Sequence, residues 1–356
     1  MMQAEIFPEG ADIEKLKRVK FGIDPTFPRL HLGHLVPLRI VKKMQEQGKE
    51  ITIVLGTFTA ILGDPSGRDQ ARPILSKDEV EENSRKIQIQ VRQILGSKFS
   101  IFRNGDAFNE MKVPELMQII SDFSVQHMTS RNAFSNRLKI NNPIGIHELI
   151  VPILQGTDSV ILKSEIEIGG TDQLFNFQVA RRLQELNGQT PEVCIMAPII
   201  NGTDGRKMSK SLGNCIFLDE DPTDMFGKCM SISDDVMEEW IPLLTNGNDW
   251  VGPMDRKKKM AFDIVEQLFD HATAMTCLQQ FENTIQNKEL PDDIKEINTD
   301  SLIDAIKMIR GCSNSEARRL IAGGGVKIDD EKASEDTTLS SGQIIKVGKR
   351  DFGKIV

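Results

Sequence analysis

A helix pattern closed at both ends, lying between two short apolar runs, constrains this chain's fold more than any other feature. Residues 18–24 (RVKFGID) read as a strand that runs into a turn at Asp24-Pro25-Thr26. A helix is predicted from about Gly33, with Pro37 in its first turn, where a missing N–H is tolerated. Gly48 takes the usual place just past its end. ITIVLG at 51–56 suits a buried parallel strand. Ser76 and Glu79 form a capping box for a further helix, whose apolar face is Ile87, Val91, Ile94 and Leu95. VCIMAPII at 193–200 is another buried strand. This alternation predicts an α/β class: a Rossmann-like, doubly wound parallel-sheet domain over residues 1–220.

Strand signals stop near residue 221. DDVMEEWIPLL and KKKMAFDIVEQLF carry helical spacing, so 221–297 is expected to be an α-helical domain. KELPDDIKEINTD (288–300) is polar and broken by Pro291, as a linker would be. Residues 298–356 read as a small α+β module: two helical patterns, then Gly323-Gly324-Gly325, then the short strands VKI and QIIKV.

No apolar run approaches the length of a membrane span, and the mixed-charge N-terminus lacks the apolar core of a signal peptide. The five cysteines are scattered without a CxxC pair, which points away from a zinc site or a disulfide framework and towards a reducing cytoplasm. A net charge of −8 argues against a general nucleic-acid-coating surface. The tail differs: residues 301–356 hold ten Lys and Arg against eight Asp and Glu, so RNA contact is expected in patches.

Two short motifs carry chemistry. HLGH (31–34) puts His31 and His34 on one face at a helix opening. Such an end offers backbone N–H groups and a positive dipole to phosphate, and Gly33 keeps the backbone open to a nucleotide. The plainer alternatives are a metal pair, which lacks a third ligand nearby, or surface histidines. KMSKS (207–211) supplies Lys207 and Lys210 as point charges for pyrophosphate, with Ser209 and Ser211 as hydroxyl donors. Gly202, Gly205 and Gly213 flank it, as suits a loop that closes on ATP. A solvated basic loop is the plainer alternative, and the pairing with HLGH weighs against it. In IGGTDQLFNFQVARRLQE (168–185), Gly169 and Gly170 are expected to let the backbone approach a ligand, and Asp172 and Gln173 to open a helix. Asp172 as a simple helix cap is the plainer alternative.

HLGH, GGTDQ and KMSKS in this order resemble the class I aminoacyl-tRNA synthetases. FGIDPTFPRLHLGH, LGDPSGRDQARP, ILQGTDSV, IGGTDQLFN and RKMSKSLGN together are similar to bacterial tyrosyl-tRNA synthetases, in the branch that carries KMSKS. SNSEARRLIAGGGVKID resembles the small RNA-binding module that closes many of them. The likeness covers nearly the whole chain. It implies formation of an aminoacyl adenylate from ATP and L-tyrosine, with Mg2+ accompanying ATP and no dedicated protein metal site. Transfer to tRNA(Tyr) then follows, in a cytoplasmic homodimer without a membrane anchor.

Roles carry over by matching position. Asp24 matches an acid that contacts the substrate or adenylate; Thr26, His31 and His34 match ATP-phosphate contacts. Gly33, Met208, Ser209 and Ser211 fall on the ATP side. Asp64 matches the carboxylate that holds the amino acid's ammonium group, with Gln155 beside it. Asp158 matches the acceptor of the tyrosine phenol. Asp172 matches a ribose contact and Gln173 a substrate contact. Lys207 and Lys210 match the pyrophosphate lysines, and Arg318, Arg319 and Lys327 the tail's tRNA contacts.

The chain departs from the family at several positions. Val151 stands where a tyrosine usually helps hold the ammonium group, Thr157 where a large residue is common, and Ala60 where glycine is usual. Lys20 replaces a phenol-binding tyrosine of one branch, although the KMSKS branch also has lysine there. These changes keep a second reading open, a paralogue that activates a modified tyrosine or another amino acid. A non-catalytic RNA-binding regulator is a third, and intact HLGH and KMSKS speak against it. The chain has 17 phenylalanines and no tyrosine. A tyrosine-activating enzyme of this composition can be translated when charged tRNA(Tyr) is scarce; drift towards phenylalanine is the plainer explanation.

Overall fold

The computed structural model describes residues 4–62, 75–247, 250–283, 294–329, 331–334, 337–348 and 351–356. The chain forms two compact units, Met1–Asp270 and His271–Val356.

The first unit opens with β1 (Glu5–Phe7), β2 (Arg18–Ile23), α1 (Leu32–Glu46) and β3 (Glu50–Leu55). Next come α2 (Thr59–Leu62), α3 (Lys77–Leu95), β4 (Ser100–Arg103) and α4 (Asn104–Phe108). A helical stretch follows: α5 (Val113–Ser121), α6 (Val125–Thr129), α7 (Asn132–Lys139) and α8 (Ile146–Leu162). The unit continues with β5 (Ile166–Gly170), α9 (Leu174–Leu186), β6 (Val193–Ala197), α10 (Pro222–Ser231), α11 (Asp234–Leu244) and α12 (Pro253–Leu268).

Its sheet has the order β1-β6-β5-β2-β3-β4. Five strands run parallel, and β1 joins antiparallel at the edge against β6. From β2 the chain moves outward to β3 and β4, then returns on the other side to β5 and β6. The order therefore reverses at β2, and a crevice opens outside the carboxyl ends of β2 and β5, where open α/β sheets bind ligands.

Helix α1 buries Leu32, Leu35, Val36, Leu38, Val41 and Met44 almost completely; each such side chain contributes about 1.5–3 kcal/mol. Its end is as expected: Gln47 is the cap and Gly48 follows at φ +81°. The helix begins at Leu32, within one residue of the expected start, but Pro37 is its sixth residue, past the first turn, and has no N–H to offer the Gly33 carbonyl. His31 Nδ1 accepts the Gly33 N–H (3.2 Å) and His34 Nδ1 accepts the His31 N–H (3.2 Å), a reciprocal cap that fixes the first turn. Ser76 and Glu79 form the predicted capping box of α3.

The second unit contains α13 (His271–Phe281), β7 (Lys295–Ile297), α14 (Leu302–Arg310), α15 (Asn314–Ala322), β8 (Val326–Ile328), β9 (Glu331–Lys332), β10 (Ile344–Val347) and β11 (Asp351–Ile355). Its sheet runs β7-β11-β10-β8-β9 around a core that includes Ile306, Ile345 and Val347. Lys295–Ile297 falls in the stretch read as a linker. It becomes a strand because β11 pairs with it in parallel, a non-local contact that polar composition does not reveal. No helix among the described residues is long and apolar enough to cross a membrane.

Candidate active site

The crevice is a cleft of about 1000 Å³. Every residue assigned above to ATP or to the amino acid lines it, except Asp64, which lies outside the described residues. The fold explains why. Asp24 follows β2, Asn104 follows β4, Asp172 and Gln173 follow β5, and the KMSKS loop follows β6, so the carboxyl ends of four parallel strands deliver side chains to one opening.

The loop is tied to the histidine turn by backbone pairing. Leu32 N–H donates to Ile216 O (3.0 Å), and Leu218 N–H donates to Leu30 O (2.9 Å). Met208 is buried, with its sulfur 3.8 Å from where a Gly33 Cβ would stand. The helix opening and the two lysines thus share one wall.

His31 is pushed down to about 2, first by burial and then by neighbouring His34 and Lys210. It is therefore neutral at working pH. His31 accepts at Nδ1, so the proton of its neutral ring sits on Nε2, ready to donate, and His34 also accepts at Nδ1, which leaves its Nε2 as the donor. Lys210 Nζ lies 4.3 Å from the centre of the Phe27 ring, and Lys207 Nζ lies 3.5 Å from Asp172 Oδ2. Ser209 and Ser211 hydroxyls are 2.9 Å apart.

At the far end of the cleft the environment becomes buried and polar. Asp158 is 2% exposed. Asn104 Nδ2 donates to its Oδ2 (3.2 Å), while Oδ1 is buried with no hydrogen-bond partner. Burial raises the Asp158 carboxyl to about 7, against the opposing pull of Lys20 and of the Asn104 hydrogen bond. Lys20, also 2% exposed, pairs with Glu167 (2.9 Å) and donates to Ser159 Oγ (2.6 Å). Asn176 Nδ2 donates to both Gln155 Oε1 (2.6 Å) and Gln173 Oε1 (2.7 Å), locking the two glutamines into one array. Thr59 Oγ1 donates to Asp24 Oδ1 (2.7 Å).

Several of these residues were not singled out from sequence. Asn104 orients others and sits outside any motif, whereas Asn176 does so from the last position of IGGTDQLFN. Asn214 is buried within the loop: its Oδ1 accepts the Ser209 N–H (2.8 Å), and its Nδ2 donates to Asp204 (2.7 Å) and to the Lys207 carbonyl (3.2 Å). Its place three residues after KMSKS was the available signal. A Cβ on Gly169 would stand 2.7 Å from Phe177 Cζ, so that glycine makes room for a ring that itself lines the cleft. Val151, Thr157 and Ala60 are buried and none lines the cleft; Thr157 Oγ1 donates to Ile153 O of its own helix (2.8 Å).

In the second unit, strand register sets Lys327 opposite Lys332 on one side and Lys346 on the other. Directly paired residues share a face, and Val326, Ile328, Ile345 and Val347 take the opposite, core-facing side. Three like charges in a row are unfavourable alone and suit a polyanion. Lys346 Nζ lies 5.1 Å from the Phe352 ring centre. Arg318 and Arg319 lie on α15.

A crevice at the switch point of a parallel sheet, with a histidine-capped helix and a lysine loop on one wall, is the adenylate-forming arrangement of class I synthetases. The profile of the class I tRNA synthetases (W and Y) matches residues 14–301, and the chain belongs to that family. Within it, the chain is 40% identical to the tyrosine–tRNA ligase of Aquifex aeolicus, covering 99% of this chain and 96% of that one. It is 40% identical to the tyrosine–tRNA ligase of Dehalococcoides mccartyi, covering 96% and 92%. Among solved structures, a C-terminally truncated mitochondrial tyrosyl-tRNA synthetase of Coccidioides posadasii superposes with a TM-score of 0.63 at 20% identity, over 78% of this chain and 88% of that one. The tyrosyl-tRNA synthetase of Archaeoglobus fulgidus complexed with L-tyrosine gives 0.59 at 18% identity, over 74% and 90%. At these identities the structures speak for the fold.

Proposed function

We infer that the protein activates L-tyrosine with ATP and transfers it to tRNA(Tyr). One observation carries the choice of amino acid: the buried, unpartnered Oδ1 of Asp158 at the end of the cleft. A buried acceptor without a donor is costly, and a phenol O–H supplies the donor that a phenyl ring lacks. The residues that motivated another amino acid lie off the cleft, which favours tyrosine.

With the phenol at Asp158, the ammonium group lies towards Gln155 and Gln173, and Asp64 is its proposed charge partner. The carboxylate then faces the α-phosphate of ATP, which enters as its magnesium complex. Among the described residues no cluster of three or more His, Cys, Asp or Glu could hold a metal. A carboxylate oxygen bonds to the α-phosphorus as the bond to pyrophosphate breaks. His31 and His34 donate from Nε2 to the phosphates, with Thr26 beside them. Lys207 leaves Asp172 for pyrophosphate, and Asp172 turns to the ribose. Lys210 approaches from its place over Phe27. The two lysines thereby bring positive charge to where negative charge develops. In the second step a terminal ribose hydroxyl of tRNA attacks the adenylate carbonyl and AMP leaves, so no protein nucleophile is required.

We assign catalysis to residues 1–220, the anticodon side to the helices of 221–297, and further RNA contact to 298–356. The row Lys332–Lys327–Lys346 supports the last, with Arg318 and Arg319 as companions. The proposed homodimer rests on an apolar surface concentrated in α5–α8, where Ile140 is 72% and Ile146 77% exposed; patches of this kind mark protein interfaces. A cytoplasmic location is proposed, where tRNA, tyrosine and ATP are available. Charging of tRNA(Tyr) by the purified protein tests the reading. Tyrosyl-tRNA(Tyr) is expected; adenylate formation without transfer contradicts the tRNA half.

A further inference from the structure

Asn201 opens the loop that carries Lys207, and helix α11 holds it at three points. Glu239 Oε1 accepts the Asn201 backbone N–H (2.7 Å), and Glu239 Oε2 accepts its Nδ2–H (2.8 Å). The next residue, Trp240, is completely buried and donates its indole N–H to the Asn201 carbonyl (2.9 Å). Satisfying one backbone N–H would need only a single neutral acceptor. A carboxylate that takes both donors of Asn201, with the indole on its carbonyl, fixes the residue's position and its rotation.

The hold on Asn201 extends across the loop. Asn201 forms an isolated antiparallel bridge with Lys207. On either side of it, Met208 N–H donates to Ile200 O (3.3 Å) and Gly202 N–H donates to Arg206 O (2.7 Å). The near arm is fixed to α11, and the far arm, which bears Lys207, is fixed to the near arm. The Lys207 side chain itself is 51% exposed, so its placement depends on its backbone.

We propose that Glu239 is a positioning residue for adenylate formation, which sets through Asn201 where the Lys207 ammonium meets pyrophosphate. Glu239 does not line the cleft. Helix α11 is thereby a mechanical support of the active-site loop, although it lies in the region assigned to the anticodon side. This rests on the reading of Lys207 as the pyrophosphate-side cation.

The test is ATP–pyrophosphate exchange with L-tyrosine by the full-length parent, E239Q, N201A, K207A and the E239Q/K207A double variant. E239Q is expected to lower kcat/KM for ATP roughly 10-fold, mostly in kcat, as lost positioning does. KM for tyrosine should stay within about 2-fold, because that end of the cleft is untouched. In the K207A background E239Q should add no further loss, since its effect runs through the missing ammonium. N201A keeps the backbone N–H and loses the Nδ2 donor, so it should show the same pattern with a smaller loss. It carries the test if E239Q does not fold. E239Q and N201A matching the parent while K207A is impaired would overturn the proposal. So would an equal E239Q loss with or without Lys207, which is the mark of a general structural role. A K207A variant as active as the parent would refute the underlying reading of Lys207 and, with it, this inference.

Discussion

Replacing Asp158 with alanine removes Oδ1, a buried acceptor oxygen at the end of the cleft that has no hydrogen-bond partner among the described residues. A hydrogen bond to a charged group contributes about 1.5–3 kcal/mol, or about 10- to 150-fold in a rate or binding ratio. D158A should therefore lower kcat/KM for tyrosine by that factor in ATP–pyrophosphate exchange. L-Phenylalanine donates nothing at this point, so its kcat/KM should change by less than about 2-fold and the preference for tyrosine should collapse. The pH profile adds a second readout. The Asp158 carboxyl sits at about 7 in the free protein. It is protonated below that pH and is a full charged acceptor above it. kcat/KM for tyrosine reports free-enzyme groups, so it should rise between pH 6 and 8 in the parent and stay flat in D158N. Equal losses for tyrosine and phenylalanine in D158A, or an unchanged tyrosine preference, would refute the reasoning.

The same raised carboxyl bears on stability. Its folded value lies above its ordinary one of 3.8, so the folded state binds more protons between those values. This contribution to stability is lost as pH rises from about 4 to 7. D158N, which never ionises, should therefore gain in Tm over the parent at pH 8 by more than at pH 4; a gain independent of pH would contradict the assignment. I146D with I140D should shift the protein from dimer to monomer in light scattering, and an unchanged mass would place the interface elsewhere. K327A and K346A should weaken tRNA binding and lower its salt slope by about 1 each, leaving pyrophosphate exchange intact; equal loss in both assays would deny the division between the units. In its own cell the protein should keep accumulating during tyrosine starvation, because its chain contains none; synthesis that falls like that of ordinary proteins would favour drift.

Much of the site was legible because its parts are local. A strand, a turn and a helix opening fall within Arg18–His34, and a capping box needs only Ser76 and Glu79. The motif residues then converge because five strands run the same way, which alternation alone foretells. What escaped depends on pairing across long stretches of chain. β1 and β7 are three residues each and exist through β6 and β11. Asn104 and Glu239 carry no local signature, and their partners are far away in sequence. The lysine row needs a register that joins Lys327 to Lys346 across a loop. Pro37 falls in the second turn of α1 rather than the first. Val151, Thr157 and Ala60 draw attention by differing from the family, yet all three are buried and none lines the cleft formed by the described residues.

The most direct test of the account is ATP–pyrophosphate exchange by the purified protein against all twenty amino acids and 3-substituted tyrosines. Exchange with L-tyrosine, and none above background with L-phenylalanine, is the predicted result. Preference for a different amino acid or a substituted tyrosine would contradict the role given to Asp158, and exchange with nothing would contradict adenylate formation in this cleft.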